Sequence, residues 1–135
     1  MREILFRGKR KDNGEWVYGY YVKAEKLDKS DYEYFIIEEP ADGEEHLVIP
    51  ETVGQYIGWT DKNAKKLFEG DIFTYDSETT YLVEWDCEYC GFYTEAVGGY
   101  NDYDYLGDFY SNLCKVIGNI HDNPELLEVD NGKID

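Results

Sequence analysis

Histidine, methionine, proline and cysteine are all scarce in this chain of 135 residues: two His, one Met, three Pro and three Cys. Two histidines leave few candidates for general acid–base chemistry near neutral pH, and neither His46 nor His121 sits in a nucleophile motif. Three cysteines cannot all pair with one another, and a domain of this size does not need disulfides, so a reducing cytoplasm is expected. Long apolar runs are missing as well. Nothing approaches the ~20 residues of a membrane span, and Met1 to Lys11 mixes charged with apolar residues where a signal core would be. The expectation is a soluble, unexported protein with no membrane partner. Neither a GxxxxGK[ST] phosphate cradle nor a GxGxxG fingerprint occurs. The sequence therefore points away from an enzyme, and to no resident cofactor.

Basic residues are missing from Leu67 to Cys114, a stretch that holds eleven acidic residues and no Lys or Arg. Over the whole chain, 13 Lys and Arg stand against 30 Asp and Glu, for a formal net charge of −17. Such a body repels a phosphate backbone, so direct nucleic-acid binding is disfavoured. Five of the basic residues, Arg2, Arg7, Lys9, Arg10 and Lys11, crowd the first eleven positions. The ordinary reading of the acidic stretch is a solvated face. Two sharper readings stand beside it. In one, the basic N-terminal strand of one copy meets the acidic face of another, giving a homo-oligomer. In the other, the surface imitates a nucleic-acid phosphate array and acts as a decoy for a DNA-binding protein.

What the chain does have is aromatic: 14 Tyr, 6 Phe and 3 Trp, enough core-forming residues to fold despite the charge. Trp16, Tyr18, Tyr20 and Val22 alternate with Val17, Gly19 and Tyr21, the period of a strand. Asp12, Asn13 and Gly14 tolerate positive φ, which pairs this run with Ile4 to Gly8 as a hairpin. Tyr32 to Glu38 and His46 to Ile49 form a second pair across Asp42 and Gly43, with Pro50 ending the ladder and Ala24 to Asp31 as a loop or frayed helical turn between the pairs. Glu51 to Tyr75 is dense in turn signals, with Gly54, Gly58 and Gly70 expected at tight corners. Ile72 to Tyr75, Tyr81 to Trp85, Phe92 to Val97 and Val116 to Ile120 read as further strands. Gly98 to Tyr105 reads as a mobile loop. Leu106, Phe109, Tyr110 and Leu113 have the spacing of a helical face, and Asn123, as N-cap before Pro124, opens a second short helix over 123–128. The expected fold is mainly β: one domain over 1–128, built as a small barrel or two packed half-barrels, followed by a polar tail at 129–135.

Three possible sites follow. Cys87 and Cys90 have the spacing of two Zn²⁺ ligands, which Cys114, His121 or His46 would complete, but a lone pair is a weak signal and free thiols are the simpler reading, so no metal is expected there. Asn101, Asp102, Asp104 and Asp108 offer oxygen ligands without matching a calcium-binding loop. The Tyr, Gly, Asp and Asn composition around Tyr100, Tyr103 and Tyr105 suits an adaptable protein-contacting surface. With Arg7, Lys9 and Arg10, these tyrosines are the expected protein contacts.

Val48-Ile49-Pro50-Glu51-Thr52-Val53-Gly54-Gln55-Tyr56-Ile57-Gly58 and Thr60-Asp61-Lys62-Asn63-Ala64-Lys65-Lys66-Leu67-Phe68-Glu69-Gly70-Asp71-Ile72 together resemble the YopX family of phage and prophage proteins. Ile4-Leu5-Phe6-Arg7-Gly8 is similar to that family's opening and Val116 to Leu127 to its close. The resemblance implies a mostly β fold and a phage or prophage origin in a bacterial host. From the charge distribution, other copies or a host or phage protein are the expected partners. It brings no catalytic residues. Ala64 stands where the family usually has Gly; if that corner needs positive φ, alanine adds strain on the order of 1 kcal/mol.

Overall fold

The structure, a computed structural model, describes residues 3–38, 43–75, 79–88, 90–97 and 113–128, together with the backbone of 103–105. The single domain expected from length is built as two compact units, residues 1–56 and 57–135. Alternating apolar residues make the strands of the first. β1 (Phe6–Lys9) pairs antiparallel with β2 (Trp16–Glu25), and β2 with β3 (Tyr32–Glu38), which in turn pairs with β4 (Glu45–Leu47). A 3-10 turn at Pro50–Thr52 leads into β5 (Gly54–Thr60), which pairs with β1 on its free side. The Thr52 hydroxyl fixes that corner, accepting from the Lys9 N–H (2.9 Å) and donating to the Ile49 carbonyl (2.6 Å).

β6 (Lys66–Phe68) lies beside β5, and the sheet order is β4-β3-β2-β1-β5-β6. β7 (Asp71–Thr74), β8 (Thr80–Asp86), β9 (Gly91–Ala96), β10 (Tyr103–Tyr105) and β11 (Lys115–Asn119) form the other sheet in the order β10-β9-β8-β7-β11. Each unit has its own core. Val17, Ile36 and Val48 are buried in the first, with Phe6, Tyr21, Tyr34 and Val53 packed on them. Ile57, Leu67, Phe73, Val83, Cys114 and Val116 fill the second, flanked by Tyr75, Tyr81 and Phe92.

The mainly β reading holds, and several details differ. Among the described residues the sheets are open rather than closed into a barrel, because the end strands β4 and β6, or β10 and β11, are not bonded to each other. The helix expected over 123–128 is a single 3-10 turn, Pro124–Leu127. The side chain of Asn123 does not cap it. Its Oδ1 instead accepts the Asn119 N–H at 3.2 Å, drawn across Gly118, where an added Cβ would lie 2.5 Å from that oxygen. A residue spent on closing the preceding strand cannot also cap a helix. The other expected helix falls largely on 106–112, outside the described residues. Ala24 and Glu25 continue β2, and the chain then turns tightly through the Lys26 N–H to Asp31 carbonyl bond, so β2 and β3 are one long hairpin. Tyr103 to Tyr105, expected within a loop, pairs with β9. Of the three corner glycines, Gly58 and Gly70 have φ of 93°, whereas Gly54 is a buried residue of β5 opposite Arg7.

Candidate functional site: the outward face of the first sheet

Strand register decides which side chains share a face, since successive residues alternate sides. In the first unit one face carries Phe6, Val17, Tyr21, Tyr34 and Ile36, the core. The other pairs Arg7 with Tyr18 and Lys9 with Trp16, and extends through Tyr20 opposite Ile37. Leu47, opposite Phe35, continues it onto β4. Tyr18 is 45% exposed, Tyr20 44% and Leu47 41%. Aromatic rings facing solvent on a regular sheet form a flat surface with large contact area and little rotamer entropy to lose.

The basic residues expected to make contacts are held unevenly around this face. Arg7 is 4% exposed, and its guanidinium carbon lies 4.6 Å from the centre of the Trp16 ring. The Lys9 ammonium reaches the same ring at 5.6 Å. Both are cation–π distances. Arg10 belongs to the β1–β2 turn, where it grips Asp12 through Nε to Oδ1 (3.0 Å) and Nη2 to Oδ2 (2.7 Å). That hydrogen bond holds the Asp12 carboxyl below its ordinary range. The N-terminal charge is therefore distributed: two cations against an indole and one closing a turn. Tyr103 and Tyr105 lie on β10, at the edge of the second sheet, and Tyr100 lies outside the described residues.

The acidic stretch places carboxylates on β8 and β9. Tyr93 donates its hydroxyl to Glu84 Oε2 at 2.8 Å, directly across the strand pair. The hydrogen bond to Glu84, then burial, then the carboxylate charges around it push the Tyr93 hydroxyl well above its usual range. Glu95, one step along on the same face, is raised by its hydrogen bond to Glu84, by burial and by the charge of Glu84. Two carboxyl groups are thus kept together on one sheet surface. Nothing in the sequence singled out this pair among thirty carboxylates, because only the β8–β9 register makes them neighbours.

The thiols do not converge. Cys87 and Cys90 are exposed around the β8–β9 turn, and the Cys90 thiol points to the Cys87 carbonyl at 3.6 Å. Cys114 is buried in the second core, and burial, then the nearby charge of Asp61, push its thiol up to about 11. It stays protonated at neutral pH and behaves as a small apolar side chain.

The family's long central string proves to be a framework of buried carboxylates and turns. Asp61 Oδ1 accepts from the Asn63 and Lys65 N–H groups at 2.8 and 2.9 Å, and Oδ2 accepts from Val116 N–H at 2.9 Å. Asp71 Oδ2 takes the Phe68 N–H at 2.8 Å across the Glu69-Gly70 turn. These bonds fix the β5–β6 turn against β11 and tie β6 to β7, so this string is spent on architecture.

Two open antiparallel sheets, one with an aromatic outward face, define a mainly β protein, with no helix among the described residues long and apolar enough to cross a membrane. The YopX protein family model matches residues 5–128, and the chain belongs to the YopX family. Among solved structures it is similar to the crystal structure of protein EF1440 from Enterococcus faecalis, at 21% identity and a TM-score of 0.51, covering 95% of this chain and 100% of that one. That likeness speaks for the fold. No curated protein matches.

Proposed function

We propose that this YopX protein is a non-enzymatic, phage- or prophage-encoded binding protein of the bacterial cytoplasm, and that it associates with further copies of itself through the outward face of the β1–β2–β3–β4 sheet. The observation that carries this reading is the solvent-facing row of Tyr18, Tyr20 and Leu47 beside Trp16, on the side of the sheet opposite its core. Charge supports a second copy as the occupant. Lys9 flanks the row, while Leu67 to Cys114 of another copy supplies eleven acidic residues and no basic one. Contacts between exposed charges fade over ~8–10 Å at ordinary ionic strength. Mass measured by light scattering should therefore fall toward the monomer value as salt rises. A mass unchanged from low to high salt, or a monomer throughout, speaks against this assembly.

A second reading, an acidic decoy for a DNA-binding host or phage protein, draws on the Glu84 and Glu95 carboxyl groups held on the β8–β9 face. It requires no self-contact. A protein captured by the monomer and released by competing duplex DNA would favour it.

A further inference from the structure

The β3–β4 hairpin carries a cluster that neither the family match nor the binding face accounts for. Glu38 and Glu44 face each other across the two strands, joined by the Glu38 N–H to Glu44 carbonyl bond at 3.2 Å. His46 lies two residues beyond Glu44 and opposite Ile36, so its imidazole shares their face. Like charges directly opposite on a sheet repel, and this hairpin places two carboxylates there next to the one buried histidine among the described residues.

The His46 side chain is only 8% exposed, and its Nε2 is sealed from solvent without a hydrogen-bond partner. That nitrogen is nevertheless 3.2 Å from Glu38 Oε1 and 3.6 Å from Glu44 Oε2, and one ligand atom from each residue lies within 4.8 Å of the others. In a tetrahedral zinc site with bonds of 2.0–2.2 Å, neighbouring ligand atoms stand about 3.4 Å apart. The two histidine distances bracket that value. A buried nitrogen without a hydrogen-bond partner, at ligand-to-ligand spacing from two carboxylate oxygens, is an arrangement that a cation held among the three would satisfy.

The geometry points to a divalent-cation site of the zinc class, formed by His46 Nε2 and one oxygen each of Glu38 and Glu44. One imidazole and two carboxylates make a borderline-hard donor set that suits Zn²⁺, and three protein ligands leave the fourth position to water. Glu44 is 81% exposed, so the ion has a route in from solvent. A bound cation would cancel the repulsion between the two carboxylates and tie the strands together at the loop end of the hairpin. Because binding favours the folded state, the site acts as a staple on β4, the edge of the first sheet.

The test is thermal unfolding and calorimetric titration of the full chain, first stripped of metal by a chelator, with Zn²⁺ alone as the probe. The wild type should bind one Zn²⁺ and unfold at a higher temperature with it. Glu44→Gln, at an exposed position that leaves folding intact, should weaken binding at least tenfold and abolish the thermal shift. His46→Gln should do the same, and Cys87→Ser with Cys90→Ser should leave both readouts unchanged. The proposal is overturned if the metal-stripped wild type takes up no Zn²⁺, if Glu44→Gln binds as tightly as wild type, or if binding vanishes in the double cysteine variant.

Discussion

Asp61 is buried, yet its carboxyl lies below the usual range. Burial alone would raise it; the N–H donors of Val116, Lys65 and Asn63 stabilise the charged form and prevail. Asp61→Asn keeps an acceptor for Asn63 and Lys65 but turns an NH₂ toward the Val116 N–H, so urea denaturation at pH 7 should show a loss of about 1–3 kcal/mol. The pH dependence has a fixed sign. A carboxyl depressed in the folded state contributes stability that is complete above the unfolded value of ~3.9 and disappears as pH falls through the folded value. The gap between wild type and Asp61→Asn should therefore narrow from pH 5 to pH 3. Three residues on, Ala64 has a φ of 64°. Glycine there removes the left-handed strain at some cost in unfolded-chain entropy, and Ala64→Gly should stabilise by about 0.5–1 kcal/mol in the same assay. The departure at Ala64 was readable as a possible strain from sequence alone. The Val116 contact of Asp61 was not, since its donor lies 55 residues away and only the fold brings it near.

At the scale of elements, what the sequence revealed tracked local chemistry. Trp16 to Val22 alternates cleanly and becomes β2, and Asp12-Asn13-Gly14 makes its turn, with Gly14 at φ 73°. Where a side chain had two possible jobs, the local reading erred: Asn123 resembles a helix cap but closes β11. The site residues were hidden for a related reason. In the sequence His46 stood as an acid–base candidate or a partner for distant cysteines and not beside these glutamates, because the pairing of Glu38 with Glu44 depends on hairpin register, which periodicity alone leaves open. Register also yields a prediction for β8 and β9. Glu95 is raised in the folded protein, so the folded state holds its proton more tightly, and this contribution to stability is lost as pH rises through the raised value. Glu95→Gln should then be more stable than wild type at pH 7 in urea denaturation, with the two converging below pH 4. A variant less stable than wild type at pH 7 would contradict the raised Glu95 carboxyl.

Over the whole molecule, composition told more about charge than about contact. The split between a basic opening and an acidic stretch from Leu67 to Cys114 was plain in the sequence, but Arg7 and Lys9 turn out to sit on Trp16 and Arg10 on Asp12. Tyr18 and Tyr20, on β2 and outside the later Tyr-rich segment, are tyrosines that face solvent. Light scattering and sedimentation of Tyr18→Ala/Tyr20→Ala beside wild type, at low salt and matched concentration, test the outward face most directly. Both side chains are about half exposed, so the double variant should keep its thermal midpoint within a few degrees while its association weakens at least tenfold. Assembly of undiminished strength in a folded double variant would contradict the assignment of this face.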